Sequence, residues 1–90
     1  MIKEKQNISQ QAKTSDSLSN QLILFNDDYH SFDFVIDSLI EVCELDPINA
    51  EQCTMIVHYK GRCDVKSGSR DFLLPYRNGL DNLGLIVAIE

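Results

Sequence analysis

The 90-residue sequence is short of basic charge. It holds 8 lysines and arginines against 14 aspartates and glutamates, a formal net charge of −6. Phosphate backbones repel such a chain, so the electrostatic footprint of a nucleic-acid binder is missing. An anionic membrane surface is disfavoured for the same reason. Cationic partners are compatible with this acidity, although acidity by itself chiefly serves solubility. Long hydrophobic runs are also absent, and no stretch nears the ~18 apolar residues of a membrane span. The opening "MIKEKQNISQQAK" lacks the apolar centre of a signal peptide, so a cytoplasmic protein is expected. Cys43, Cys53 and Cys63 form no CxxC pair, and neither histidine stands at zinc-finger spacing. Three reduced thiols are expected, with no structural metal. A Gly-rich phosphate loop, a nucleophile elbow and an HExxH motif are all missing, so neither a cofactor nor catalysis is expected.

What is there divides into two parts. Residues 1–19 are rich in Gln, Ser, Lys and Asn, with Ile2, Ile8 and Leu18 as the large aliphatic residues. Too little apolar surface is available there to offset ordering entropy, which predicts a flexible, disordered N-terminal extension. The charge changes sign near the same place. Residues 1–20 carry three lysines against Glu4 and Asp16, whereas residues 21–90 carry five basic and twelve acidic side chains. The core domain is therefore placed at 20–90.

Within the core domain, Gln21 to Phe25 reads as a first strand. Asn26 to Ser31 is a loop of turn-forming residues. Ser31 can cap a helix beginning at Phe32, with Asp33 near its positive end. Phe32, Val35, Ile36, Leu39, Val42 and Cys43 keep helical spacing. Asp46-Pro47 restarts a helix that runs towards Tyr59 and stops at Gly61. Arg62 to Val65 reads as a short strand. A third helix follows, capped by Ser69 or by Asp71, with Pro75 either kinking it or starting a shorter one. Leu85 to Ile89 closes the chain as a strand. The order β-α-α-β-α-β predicts an α+β fold, three helices on one face of a three-stranded, mainly antiparallel sheet.

The stretch "LILFNDDYHSF" puts an amide and two carboxylates beside the expected core. His58 lies near the end of the second helix, one turn after Thr54. If the first two helices pack side by side, His58 approaches the Asn26-Asp27-Asp28 loop above Leu24, Val35 and Val57. Such a pit, apolar below and ringed by acceptors, suits an ammonium group attached next to a bulky apolar side chain. An α-amino group has a reference pKa of about 7.7–8.0 and is largely cationic near neutrality. Burying its side chain contributes about 1.5–3 kcal/mol. Each charge-assisted hydrogen bond adds roughly 1.5–3 kcal/mol. After the entropy of association, a micromolar affinity near −8 kcal/mol (roughly) results. At this level, however, Asn-Asp-Asp also reads as a solvated turn, and His58 as a histidine near a helix C-terminus. A metal reading, with His30, His58, Asp27 and Asp28 around a divalent ion, stays open too. A nucleophile set of His58, Asp28 and a cysteine is less compatible with the sequence, because Cys43 and Cys53 occupy core-like positions.

Three segments, "LILFNDDYHSFDFVIDSL", "AEQCTMIVHYKGRCDV" and "GLIVAIE", together resemble the ClpS adaptor family. The resemblance spans Gln21 to Glu90. It implies a non-enzymatic adaptor that binds the free α-amino group and bulky hydrophobic N-terminal residue (Leu, Phe, Tyr or Trp) of N-degron substrates. It also implies delivery of those substrates to the N-terminal domain of a Clp AAA+ unfoldase of the ClpA or ClpC type. On this resemblance the amino-group contacts fall on Asn26, Asp28 and His58, with Asp27 beside them. The hydrophobic pocket falls on Leu24, Phe32, Val35, Thr54, Val57 and Leu85. Tyr29 and Asp33 fall on the unfoldase-facing side, and the N-terminal extension acquires a role in handover. Phe32 and Thr54 stand where relatives usually carry methionine, and His30 stands where they usually carry threonine. A protein-interaction module of the same fold with another ligand, as in the ribosomal stalk protein's C-terminal domain, is the alternative.

Overall fold

The computed structural model describes residues 20–90, and the expected N-terminal extension lies outside them. The element order is β1 (Asn20–Phe25), α1 (Phe32–Cys43), α2 (Pro47–Lys60), β2 (Arg62–Gly68), α3 (Arg70–Asn82) and β3 (Ile86–Ile89). The sheet order is β2-β1-β3, and β1 pairs antiparallel with both neighbours. This is the α+β arrangement that the hydrophobic periodicities predict.

Short polar side chains start each helix. Ser31 Oγ accepts from the Phe34 N–H at 3.1 Å, Asp46 Oδ1 from the Asn49 N–H at 2.9 Å, and Ser69 Oγ from the Phe72 N–H at 3.1 Å. Each bond satisfies a donor that the first helical turn leaves without a partner. Gly61 ends α2 at φ 92°, where its N–H reaches the Val57 carbonyl. A side chain at that φ would be strained.

One cluster holds the core. Leu22 and Leu24 of β1 meet Leu39 and Cys43 of α1, Ala50, Cys53 and Val57 of α2, Val65 of β2, Leu73 and Leu80 of α3, and Leu85. Leu22, Leu39, Leu73 and Leu80 have no exposed surface. Burial of each such side chain contributes about 1.5–3 kcal/mol. Gly79 lets α3 approach α1, because a Cβ there would sit 2.7 Å from Val42 Cγ1.

The structure chooses between two readings of the third helix and corrects the end of β2. The third helix begins after Ser69 and continues through Pro75 to Asn82. Proline costs such a helix ~3 kcal/mol, and complete burial of Leu73 and Leu80 on either side of it outweighs that cost. β2 runs to Gly68 rather than stopping at Val65. Its polar end, Lys66 to Gly68, stays in the sheet because Asn20, Gln21 and Leu22 of β1 pair with it. On an edge strand, backbone pairing needs no apolar side chain.

Candidate ligand cleft

β1, the loop after it, α1, α2 and the turn before β3 enclose a cleft of about 320 Å³. Its lower wall is formed by Leu24, Thr54, Val57 and Leu85, all buried. Val35 is half-buried beside them, and Phe32 stands 41 % exposed at the side. Asn26, Asp28 and His58 are exposed lining residues, and Asp27 is half-buried. All ten residues expected at the pocket and the amino-group site therefore line one cleft. Phe25 and His30 line it as well.

Local chemistry explains the arrangement. The Asn26 N–H donates to the Gly61 carbonyl at 2.9 Å, which ties the loop to the end of α2 where His58 sits. Asp27 Oδ1 accepts from the backbone N–H groups of Tyr29 (2.8 Å) and His30 (2.9 Å). The His30 ring adds its Nδ1 at 3.0 Å from Asp27 Oδ2. Burial raises the Asp27 pKa, but the bonds from the His30 backbone, the His30 ring and the Tyr29 backbone outweigh it and hold the carboxyl below its ordinary value. Thr54 commits its hydroxyl to the Ala50 carbonyl at 2.8 Å. His58 meets Phe32 edge-on, with ring centroids 6.4 Å apart. The site thus offers exposed amide, carboxylate and imidazole acceptors over an apolar floor.

The other chemistries fare differently. Among the described residues, no group of three or more His, Cys, Asp or Glu side chains could hold a metal ion. Asp27 and His30 engage each other instead. The cysteines do not line the cleft. Cys43 is buried, and burial, opposed by Lys66, pushes its thiol up to about 11. Burial, reinforced by the neighbouring Cys63 thiol, also pushes up Cys53. Tyr29 is 91 % exposed and Asp33 is exposed in the first turn of α1, so both are open to a partner. Among the described residues, no helix is long and apolar enough to cross a membrane.

A sequence model of the ATP-dependent Clp protease adaptor protein ClpS matches residues 15–83. The chain belongs to the ClpS family. It is 41 % identical over 56 residues to the ATP-dependent Clp protease adapter protein ClpS of Clostridium acetobutylicum. That match covers 62 % of this chain and 55 % of the relative, so the chain spans about half the length of the curated relative it matches. The solved structure of Agrobacterium tumefaciens ClpS2 bound to L-phenylalaninamide superposes with a TM-score of 0.73. It covers 82 % of this chain and 96 % of that one at 24 % identity, a likeness of fold. ClpS is an adaptor family of the Clp protease and not a protease itself.

Against this ClpS background, sequence reasoning missed two features of the cleft. Phe25, the last residue of β1, was counted only as strand. His30 reads from the sequence as a candidate metal ligand and a departure from the family's usual threonine, and its bond to Asp27 is a finding of the structure. The signal was present, since an acid three residues ahead of a histidine within a turn brings the two side chains together.

Proposed function

We propose that this ClpS-family chain binds the free α-ammonium and bulky hydrophobic first side chain of N-degron proteins and delivers them to a Clp AAA+ unfoldase. The observation that carries this reading is the single cleft in which exposed Asn26, Asp28 and His58 surround a floor of buried Leu24, Thr54, Val57 and Leu85. Asn26 and Asp28 offer oxygens and neutral His58 a ring nitrogen, which together match the three donors of an ammonium. Asp27 adds negative charge beside them, although its own loop already occupies much of its accepting capacity. Leu24, Phe32, Val35, Thr54, Val57 and Leu85 take the side chain. The amine and aromatic ring of the phenylalaninamide bound to the Agrobacterium protein have the same two-part chemistry, which supports the assignment. Exposed Tyr29 and Asp33 face the unfoldase in this reading, outside the cleft lining. Residues 1–19 serve handover, and a soluble cytoplasmic location fits both partners.

Fluorescence anisotropy with peptides differing only at residue one, free or acetylated, tests the proposal. A free Phe- or Leu-initiated peptide should bind near the micromolar level, and acetylation should abolish binding. Comparable binding of the acetylated and free forms would exclude an ammonium site. Binding should also weaken at high pH, as the ligand amine loses the proton that makes it cationic.

A further inference from the structure

His30 is a side chain for which the amine reading alone has no use. Its ring makes three contacts on three parts of the chain. Nδ1 lies 3.0 Å from Asp27 Oδ2 and 3.2 Å from Oδ1. The ring stacks on Phe34 of α1 at 4.9 Å between centroids, with the planes 17° apart. Its far edge covers Gly84, where an added Cβ would meet Nε2 at 3.4 Å and Cε1 at 3.6 Å. Gly84 has φ +87° and precedes Leu85, part of the cleft floor. One imidazole therefore joins the loop carrying Asn26 and Asp28, the first turn of α1 and the turn between α3 and β3.

We propose that His30 is a positioning residue for ammonium capture: its ring locks Asp27, so that Asn26 and Asp28 are aimed at the cleft, and it pins their loop to the turn that carries Leu85. This inference rests on reading the cleft as an ammonium site. The carboxylate of Asp27 can bond only a protonated Nδ1, which fixes the ring's orientation and tautomer. With Nδ1, the Tyr29 N–H and the His30 N–H all on Asp27, the loop between Asn26 and Ser31 has an internal hub. Acceptors held in place in advance lose less freedom when a ligand arrives, and affinity rises accordingly.

Two replacements separate donation from bulk. His30→Leu keeps an apolar group over Gly84 and on Phe34 but cannot donate. His30→Gln is neutral and retains a donor. In His30→Leu, the affinity for a free Phe-initiated peptide should fall about tenfold, the lower range for losing a charge-assisted bond. His30→Gln should recover most of it, and both variants should keep the folded circular-dichroism spectrum at the assay temperature. In the ligand-free protein, Tyr29 and His30-position amides should exchange faster in His30→Leu than in wild type, and His30→Gln should restore their protection. Unchanged amide exchange in His30→Leu would overturn the clasp whatever the ligand. Faster exchange with unchanged affinity would overturn its positioning role. Failure of the wild-type protein to bind any free-amine peptide would sink the ammonium reading instead, and the exchange data would still decide whether the clasp exists.

Discussion

Replacing Thr54 with valine removes one hydroxyl from the wall of the cleft and little else. Thr54 is 4 % exposed, and its Oγ1 donates to the Ala50 carbonyl at 2.8 Å. A net intramolecular hydrogen bond stabilises by about 0.5–1.5 kcal/mol. Ala50 lies four residues earlier in the same helix, so its carbonyl remains the acceptor of the helical ladder and is not orphaned. The new methyl group gains about 0.8 kcal/mol from burial. The two effects nearly cancel, and the expected stability change is within about 0.7 kcal/mol in either direction. For a domain of this size that is within about 5 °C in unfolding temperature. Thermal unfolding followed by circular dichroism measures it. Because the hydroxyl is already committed to Ala50, Leu-, Phe- and Tyr-initiated peptides should each keep their affinity within about threefold, half a logarithmic unit on the binding scale. The reasoning fails if Thr54→Val costs more than about 2 kcal/mol, which would mean the carbonyl depended on the hydroxyl. It fails equally if the Tyr peptide alone drops tenfold, which would make the hydroxyl a partner of the ligand.

Further outcomes follow from the same geometry. Thr54→Met should extend into the cleft and weaken Trp-initiated peptides relative to Leu-initiated ones by about tenfold or more, the effect of one or two methylenes in a pocket; parallel anisotropy titrations would show it. Asp27 carries a depressed pKa in the folded state, so its stabilising contribution is present above the unfolded value near 3.8 and is lost as pH falls through the lower folded value. Asp27→Asn should therefore flatten the acid limb of a stability-against-pH curve below that point. Alkylation near neutral pH, read by mass spectrometry of the folded protein, should modify half-buried Cys63 first. Cys43, buried with its thiol raised to about 11, should stay unmodified until the protein unfolds.

Much of this chain was legible before its tertiary structure. The caps at Ser31 and Asp46 and the stop at Gly61 are local devices, readable because each satisfies or strains the backbone of its immediate neighbours. Helical spacing marked Leu39 and Cys43 as core, and both are fully buried. The α+β layering followed from the order of these elements. The full set of ten expected pocket and amino-group positions needs the family resemblance, since spacing alone also leaves a solvated turn and a metal site open.

Other features depended on residues distant in the chain. Pro75 argues locally against a continuous α3, and only the burial of Leu73 and Leu80 against the sheet carries the helix through it. The polar end of β2 exists because β1 lies alongside to receive its hydrogen bonds. The bond between Asp27 and His30 spans three residues, but the use of that ring depends on Gly84, which the fold returns to it from the far end of the chain. The sequence by itself determined where the backbone starts and stops its elements and which side chains avoid water, because those preferences act over a few residues. The tertiary structure decided which polar groups share the cleft and which are consumed in holding it, because directional bonds require partners that only the folded chain brings within reach.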